Sequence, residues 1–296
     1  MWTTRRPEVS DSSPLPDGPY GFIGLGNIGA PMAQRLLGWA PGLVVCDLDD
    51  SRVEPLRSAG AGVATTAREL GERCGAVSVM VLNDEQVRAV VAELLETIRP
   101  DSVIGVHSTI DVATAVELDL TARAKGVRLI DAPVSGGFIG AAEGRLAVLA
   151  GGDTEAIDAV RPAWSNFADL VVRFGPAGCG TTAKLARNLL HFVAFTAASE
   201  AQQLAEAAGL DLGALSRVVR HSDAVTGGPG AIMLRASTED LRPGDDWYET
   251  MQHVRTLGEK DLDLALARAA EFGLDLPLAE LARVRLAGGL GVPHAT

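Results

Sequence analysis

At 296 residues the chain is longer than an ordinary single domain, and 47% hydrophobic with 22% charged residues is the profile of a globular protein with more than one core to fill. Its 26 Lys and Arg against 38 Asp and Glu leave a formal charge of -12, which repels phosphate backbones and anionic lipid, so nucleic acid and membranes are disfavoured as partners and a small-molecule site is expected. Cys46, Cys74 and Cys179 are widely spaced with no C-x-x-C pair, and the five histidines show no i, i+4 pairing, so neither a disulfide framework nor a metal site is expected.

The segment 1–17 holds an Arg5-Arg6 pair with no apolar run behind it, so it reads as a flexible tail rather than an export signal. No apolar run reaches the roughly eighteen residues of a membrane span, and the cytoplasm is the expected compartment. From Tyr20 to about Phe174, short β-type runs ("YGFIG", "GLVVCD", "AVSVMVL", "DSVIGVH", "GVRLID", "GRLAVLA", "DLVVRF") alternate with helix-length segments such as "DEQVRAVVAELLETIRP". Continuous apolar strands alternating with helices predict a largely parallel sheet covered on both faces, a doubly wound α/β domain over 18–176. Beyond Gly180, "TTAKLARNLLHFVAFTAASEAQQLAEAAG" runs without proline or internal glycine, and the remainder reads as helices broken at "TGGPG" and "RPGDD". An all-helical domain over 177–296 is predicted, entered through a long helix whose wide apolar surface calls for burial in the domain or against a second copy.

Within this frame, Gly24, Gly26 and Gly29 form G-x-G-x-x-G between the strand "YGFI" and a helix. In a dinucleotide turn the first glycine allows the sharp bend, the second the approach of a pyrophosphate, the third close helix-strand packing, with Leu25, Asn27 and Ile28 completing the turn. The amides at the helix start then face the anion. An acid is expected at the end of the second strand, and Asp47 ends "LVVCD". A carboxylate there accepts ribose hydroxyls and repels a 2'-phosphate, which favours NAD and leaves NADP as the second choice. The bland alternative is a structural turn with Asp47 as a helix cap.

A second glycine-rich stretch, "DAPVSGGFIGAAEGRLAVLAGG", comes after "GVRLI" but lacks the dinucleotide spacing. A third, "GPAGCG", leads into the long helix, where Lys184 and Asn188 fall four apart on one face, about 6 Å along the axis. They can act on one ligand together. Desolvation of such a lysine lowers its pKa toward the range useful for proton transfer; otherwise the ammonium snorkels to solvent. His191, one further turn on, reads as a packed residue rather than part of the site.

Four stretches, "GFIGLGNIGAPMA", "DAPVSGGFIGAAEG", "GPAGCGTTAKLARNLL" and "GEKDLDLAL", together resemble the β-hydroxyacid dehydrogenase family in order and spacing, from Gly21 to about Leu266. The resemblance implies a Rossmann-type domain, a helical domain and nicotinamide-dependent interconversion of a β-hydroxy acid with its semialdehyde or keto acid. It further implies Lys184 as general acid/base, Asn188 orienting the substrate, Ser135, Gly136 and Gly137 holding a small carboxylate, Thr109 lining the cleft, and Lys260 near the cofactor. A homodimer or homotetramer is expected. Arg145 and Arg187 depart from the family's pattern; surface pairing is the favoured reading of the extra guanidinium. The rivals are an imine reductase of the same architecture and a catalytically silent dinucleotide-binding relative. Lys184 argues against both.

Overall fold

The computed structural model of the chain describes residues 18–294, so the tail expected at 1–17 lies outside the described residues. Two compact units part between Arg187 and Asn188. The first contains strands β1 (Tyr20–Ile23), β2 (Leu43–Cys46), β3 (Gly62–Val63), β4 (Ala76–Val79), β5 (Val103–Val106), β6 (Arg128–Asp131), β7 (Val134–Ser135), β8 (Leu146–Gly151) and β9 (Ala168–Gly175). Its helices are α1 (Gly29–Arg35), α2 (Asp50–Ser58), α3 (Ala67–Arg73), α4 (Asp84–Thr97), α5 (Val112–Arg123), α6 (Gly137–Glu143) and α7 (Thr154–Trp164). A long α8 (Cys179–Ala207) starts in this unit and continues into the second, which holds α9 (Leu212–Thr226), α10 (Tyr248–Glu271) and α11 (Pro277–Leu290).

The sheet runs β3-β2-β1-β4-β5-β6-β8-β7, with β9 added alongside β8. The first six strands in this order pair parallel; β8 is antiparallel to β6 and β7 and parallel to β9. Strands β1, β2, β4 and β5 are buried along their whole length. Because side chains alternate across a strand, neighbours divide between two cores: Phe22 and Val45 join Met32, Trp164 and Phe167 in one, while Ile23 and Val44 join Leu70, Val91 and Leu94 in the other. The continuous apolar runs arise from that double burial. Local chemistry starts the helices: Thr66 accepts from the Glu69 amide while the Glu69 carboxylate accepts from Thr65 at 2.8 Å, a reciprocal cap for α3. Asn83, Asp111 and Asp153 cap α4, α5 and α7.

Two strands escape the sequence reading. β3 and β7 have only two residues each, too short for any periodicity to register. The domain boundary was expected at 176/177; β9 ends at Gly175 and α8 begins at Cys179, and with the first turn of α8 hydrogen-bonded to the end of β6 the first compact unit extends to Arg187.

A buried polar chain crosses the first unit. Trp164 Nε1 donates to the Tyr20 hydroxyl at 2.8 Å; that hydroxyl lies 2.9 Å from Ser78 Oγ, which lies 2.8 Å from His107 Nε2, and His107 Nδ1 lies 2.8 Å from the Ala132 carbonyl. A carbonyl only accepts, so Nδ1 carries the proton. Burial holds the His107 ring neutral, its pKa pushed down to about 4, so Nε2 accepts from Ser78, Ser78 accepts from Tyr20, and Tyr20 accepts from Trp164. Every proton has one place, and the chain ties α7, β1, β4 and the residue just after β5 to the residue just after β6.

In the second unit Tyr248, Met251, Leu290 and Val292 form a small core with Leu241, Val254 and Leu286. The Glu200 carboxylate accepts from the Leu278 and Ala279 amides, each at 2.8 Å, tying α8 to the start of α11. Among the described residues the burial expected for the long helix is not met: Leu189, Phe192, Val193 and Phe195 of α8 are exposed, as are Val218 and Val219 of α9. Among the described residues no helix is long and apolar enough to cross a membrane.

His107 gives the fold a pH dependence with a definite sign. The unfolded ring titrates near 6.5 and the folded ring near 4, so its contribution is complete above about pH 6.5 and is lost as pH falls toward 4, because only the unfolded chain binds the proton there. Between pH 7 and pH 5 the loss is about 2 kcal/mol. Denaturant unfolding of His107→Gln, whose amide can still donate and accept, should show a correspondingly flatter profile over this interval than the parent; equal slopes would remove His107 as the cause.

Candidate active site

In an open parallel sheet, ligands bind at the carboxyl ends of the strands where the strand order reverses, and here β1 has β2 on one side and β4 on the other. The G-x-G-x-x-G turn occupies that point. Gly24 has φ +93°, and a side chain on it would meet the Met80 carbonyl at 2.2 Å. One on Gly29 would meet the Gly24 carbonyl at 2.0 Å, so α1 lies directly on the strand end. Gly26 faces open space, with only Arg52 Nη1 at 3.9 Å from an added Cβ. The three glycines therefore serve bend, open approach and close packing in the order the spacing predicts. Ile28, at the start of α1, makes no side-chain cap, so no side chain competes with an anion there.

Asp47 joins this turn directly. Its Oδ2 accepts from the Leu25 amide at 2.6 Å and its Oδ1 from the Asp49 amide at 2.9 Å. The cap of α2 is Asp49, which accepts from Ser51 at 3.0 Å, so the alternative in which Asp47 is an ordinary helix cap does not hold. Arg52 pairs with Asp49 at 3.3 Å. Along the same edge, Ser108 Oγ accepts from the Val81 amide at 2.9 Å and donates to the Val81 carbonyl at 2.7 Å, locking the loops after β4 and β5 together. Thr109 is exposed in the second of these loops.

Lys184 lies in the second turn of α8 and is 9% exposed. Loss of solvent, and secondarily the nearby Arg187 guanidinium, push its pKa down to about 8, so the neutral amine and the ammonium are both accessible near neutral pH. No carboxylate is among the causes acting on it. The start of α8 is held by Asp131, the last residue of β6, whose Oδ1 accepts from Gly178 at 2.8 Å and Oδ2 from Thr181 at 2.7 Å. Burial raises the Asp131 carboxyl while these two amides oppose the shift. Hydrogen bonds to a charged acceptor contribute about 1.5–3 kcal/mol each.

Shortly beyond Asp131 come Ser135, half-buried, and Gly136 and Gly137, both exposed, at the entry to α6. Gly137 has φ +63° and nothing within 4 Å of an added Cβ, so its backbone is approachable. The structure thus gathers Gly24 to Gly29 with Asp47, and couples the strand leading to Ser135, Gly136 and Gly137 with the helix of Lys184. Asn188, half-buried, is the first residue of the second unit, and Lys260 of α10 is exposed there, 3.1 Å from Asp261. Arg145 is paired with Glu143 and Asp169 at 3.5 and 3.7 Å, the surface pairing expected of it. His191 is half-buried against Phe195, ring centroids 4.3 Å apart. The sequence reading missed Asp131. A signal was available: an acid closes the apolar run "GVRLID" just as Asp47 closes "LVVCD".

A family model for the NAD-binding domain of 6-phosphogluconate dehydrogenase matches residues 19–175, and one for the NAD-binding region of NADP-dependent 3-hydroxyisobutyrate dehydrogenase matches residues 178–289. The chain belongs to the β-hydroxyacid dehydrogenase family. An uncharacterised oxidoreductase of Mycobacterium tuberculosis is 48% identical over 93% of this chain and 94% of its own length. An NAD-dependent L-serine dehydrogenase of Pseudomonas aeruginosa is 34% identical over 88% of each chain. The crystal structure of an oxidoreductase from Mycobacterium avium 104 superposes with a TM-score of 0.90 at 50% identity, covering 93% of this chain and 99% of the other. An imine reductase from Myxococcus stipitatus, with a TM-score of 0.71 at 18% identity, shares the fold. This β-hydroxyacid dehydrogenase is accordingly an NAD(P)-binding oxidoreductase, and the open face at Gly26 and the Asp47 carboxylate fit such a cofactor.

Proposed function

We propose that this enzyme interconverts a small β-hydroxy acid and its semialdehyde or keto acid, with Lys184 as the general acid/base and NAD preferred over NADP. The observation that carries the reading is a lysine buried at the start of α8, with its pKa pushed down to about 8 and no carboxylate among the causes of that shift. In the oxidative direction its neutral amine takes the hydroxyl proton, and in the reductive direction its ammonium returns it. The bound nicotinamide supplies the hydride chemistry. Ser135, Gly136 and Gly137 cradle the substrate carboxylate with backbone and hydroxyl donors, and Asn188, one helical turn from Lys184, orients the substrate. Gly24 to Gly29 hold the pyrophosphate, Asp47 the ribose hydroxyls, and Thr109 and Lys260 the remainder of the cofactor cleft. The relative named for L-serine acts on a compound that is itself a β-hydroxy acid, which supports the substrate class. Imine reduction and a silent binding role are the weaker readings, because neither makes use of Lys184.

The NAD preference rests on Asp47, whose carboxylate is fixed at the turn by two amides and would repel a 2'-phosphate, while the nearby Arg52 is engaged with Asp49. The apolar surface of α8 and α9 is covered, in this proposal, by a second copy of the chain, as a homodimer or as part of a homotetramer. Three free thiols fit the cytoplasm as the working compartment.

With a panel of β-hydroxy acids, including L-serine, and cyclic imines, nicotinamide absorbance should report turnover of the hydroxy acids, rising with pH through about 8 in the oxidative direction. On the same panel Lys184→Ala should cost at least about a hundredfold in kcat with cofactor affinity unchanged; a variant retaining most of its rate would remove the acid/base role. Asp47→Ala should raise the NADP to NAD ratio of kcat/KM about tenfold or more, and an unmoved ratio would remove Asp47 from the ribose. Sedimentation at micromolar concentration should give a dimer or tetramer rather than a single chain.

A further inference from the structure

The joint where β6, β8 and α8 meet leaves no room for adjustment. Asp131 pairs with Gly151 across β6 and β8. A Cβ on Gly151 would fall 2.5 Å from Asp131 Oδ1, 2.6 Å from the Gly180 nitrogen and 2.8 Å from the Pro176 carbonyl. One on Gly180 would fall 2.3 Å from the Leu149 carbonyl and 2.5 Å from that of Asp131. Backbone therefore packs on backbone, and the fully buried Asp131 carboxylate bridges β6 to the helix start, with one oxygen on Gly178 and the other on Thr181. Thr181 is itself fully buried. Lys184 comes in the next turn of the same helix, so the hold on Thr181 sets the height and rotation at which the lysine stands.

We propose that Asp131 is a positioning residue for Lys184, fixing the first turn of α8 through the hydrogen bonds it accepts from two backbone amides so that the lysine nitrogen is held at one place. This rests on the reading in which Lys184 moves the substrate proton. A carboxylate is the side chain that suits the position, because both donors point at it and each of its oxygens only accepts. Asparagine, of the same shape, would set an NH2 group against one of the two amides and release it. The carboxylate's charge is occupied by these amides at the positive end of a helix and is not directed at the lysine.

The test is Asp131→Asn in the full chain, read in two ways. Lys125, Lys184 and Lys260 are the only lysines, so labelling lysine with 13C at Cε gives three signals, with that of Lys184 assigned by its loss in Lys184→Arg. In the parent the Lys184 signal should titrate at about 8; in Asp131→Asn it should move upward toward the ordinary lysine value as the loosened turn admits water. The kcat should fall about ten- to a hundredfold, the usual consequence of a small displacement of a reacting group, with nicotinamide affinity within about twofold of the parent. A variant with lowered thermal stability but parental kcat and an unmoved Lys184 titration would overturn the proposal, since Asp131 would then be a structural residue only. So would a loss of nicotinamide affinity as large as the loss of kcat. Should Asp131→Asn not fold, Asp131→Ser, smaller and able to accept one amide, is held to the same two readouts. If Lys184→Ala keeps its turnover, the functional reading fails while the Lys184 titration still decides whether Asp131 holds the lysine.

Discussion

Backbone amides at a helix entry need acceptors, and glycine-rich entries bring no side chains of their own to supply them. The Rossmann-type unit meets this need twice in the same way. Asp47, just after β2, accepts from Leu25 in the turn after β1; Asp131, at the end of β6, accepts from Gly178 and Thr181 in the turn that starts α8. The cofactor turn and the lysine helix are thereby fixed to one edge of one sheet by carboxylates at strand ends. The glycines make the approach close enough, and the acids make it stable.

These two acids were unequally legible in the sequence. Asp47 belongs to a motif whose spacing is local, so an acid at that place is expected from the glycine turn alone. Asp131 is separated from Gly178 by 47 positions and from Thr181 by 50, and nothing in the sequence between them announces that contact. The alternation of apolar runs and helices was readable for the same local reason, since strands buried on both faces must be apolar throughout. Strands β3 and β7, of two residues each, are too short to carry a period, and the antiparallel seat of β8 is set by its pairing with β6 and β7 rather than by any local pattern. The polar chain from Trp164 to His107 is likewise invisible to periodicity, because Tyr20, Ser78 and His107 meet only when β1, β4 and β5 lie side by side. The division inside α8 has the same origin: an unbroken helical pattern says nothing about which core each end of the helix joins.

The polar chain and the Asp131 joint converge on adjacent residues. His107 donates to the carbonyl of Ala132, and Asp131 beside it accepts from α8. The short segment from Asp131 to Ser135 is thus pinned at its start from both sides, by a ring that has only one proton arrangement and by a carboxylate with both oxygens engaged. Gly136 and Gly137 come directly after it at the start of α6, both exposed, with open space beside Gly137. Rigid support directly before an open glycine pair is the arrangement that lets backbone donors be presented without a side chain to obstruct them.

The electrostatics of Lys184 depend on the same arrangement. A lysine near a buried carboxylate ordinarily forms an ion pair, which raises its pKa and removes it from proton transfer near neutral pH. Asp131 is close to the start of the same helix, yet its two oxygens are directed at amides, and the effects acting on Lys184 are burial and the repulsion of Arg187. Both act in one direction, downward. Arg187 therefore has a definite consequence: about one turn from Lys184, its guanidinium adds to the destabilisation of the ammonium that burial begins. The acid near the lysine is engaged elsewhere, the guanidinium near it works with burial rather than against it, and the balance leaves the amine able to gain or lose a proton at physiological pH.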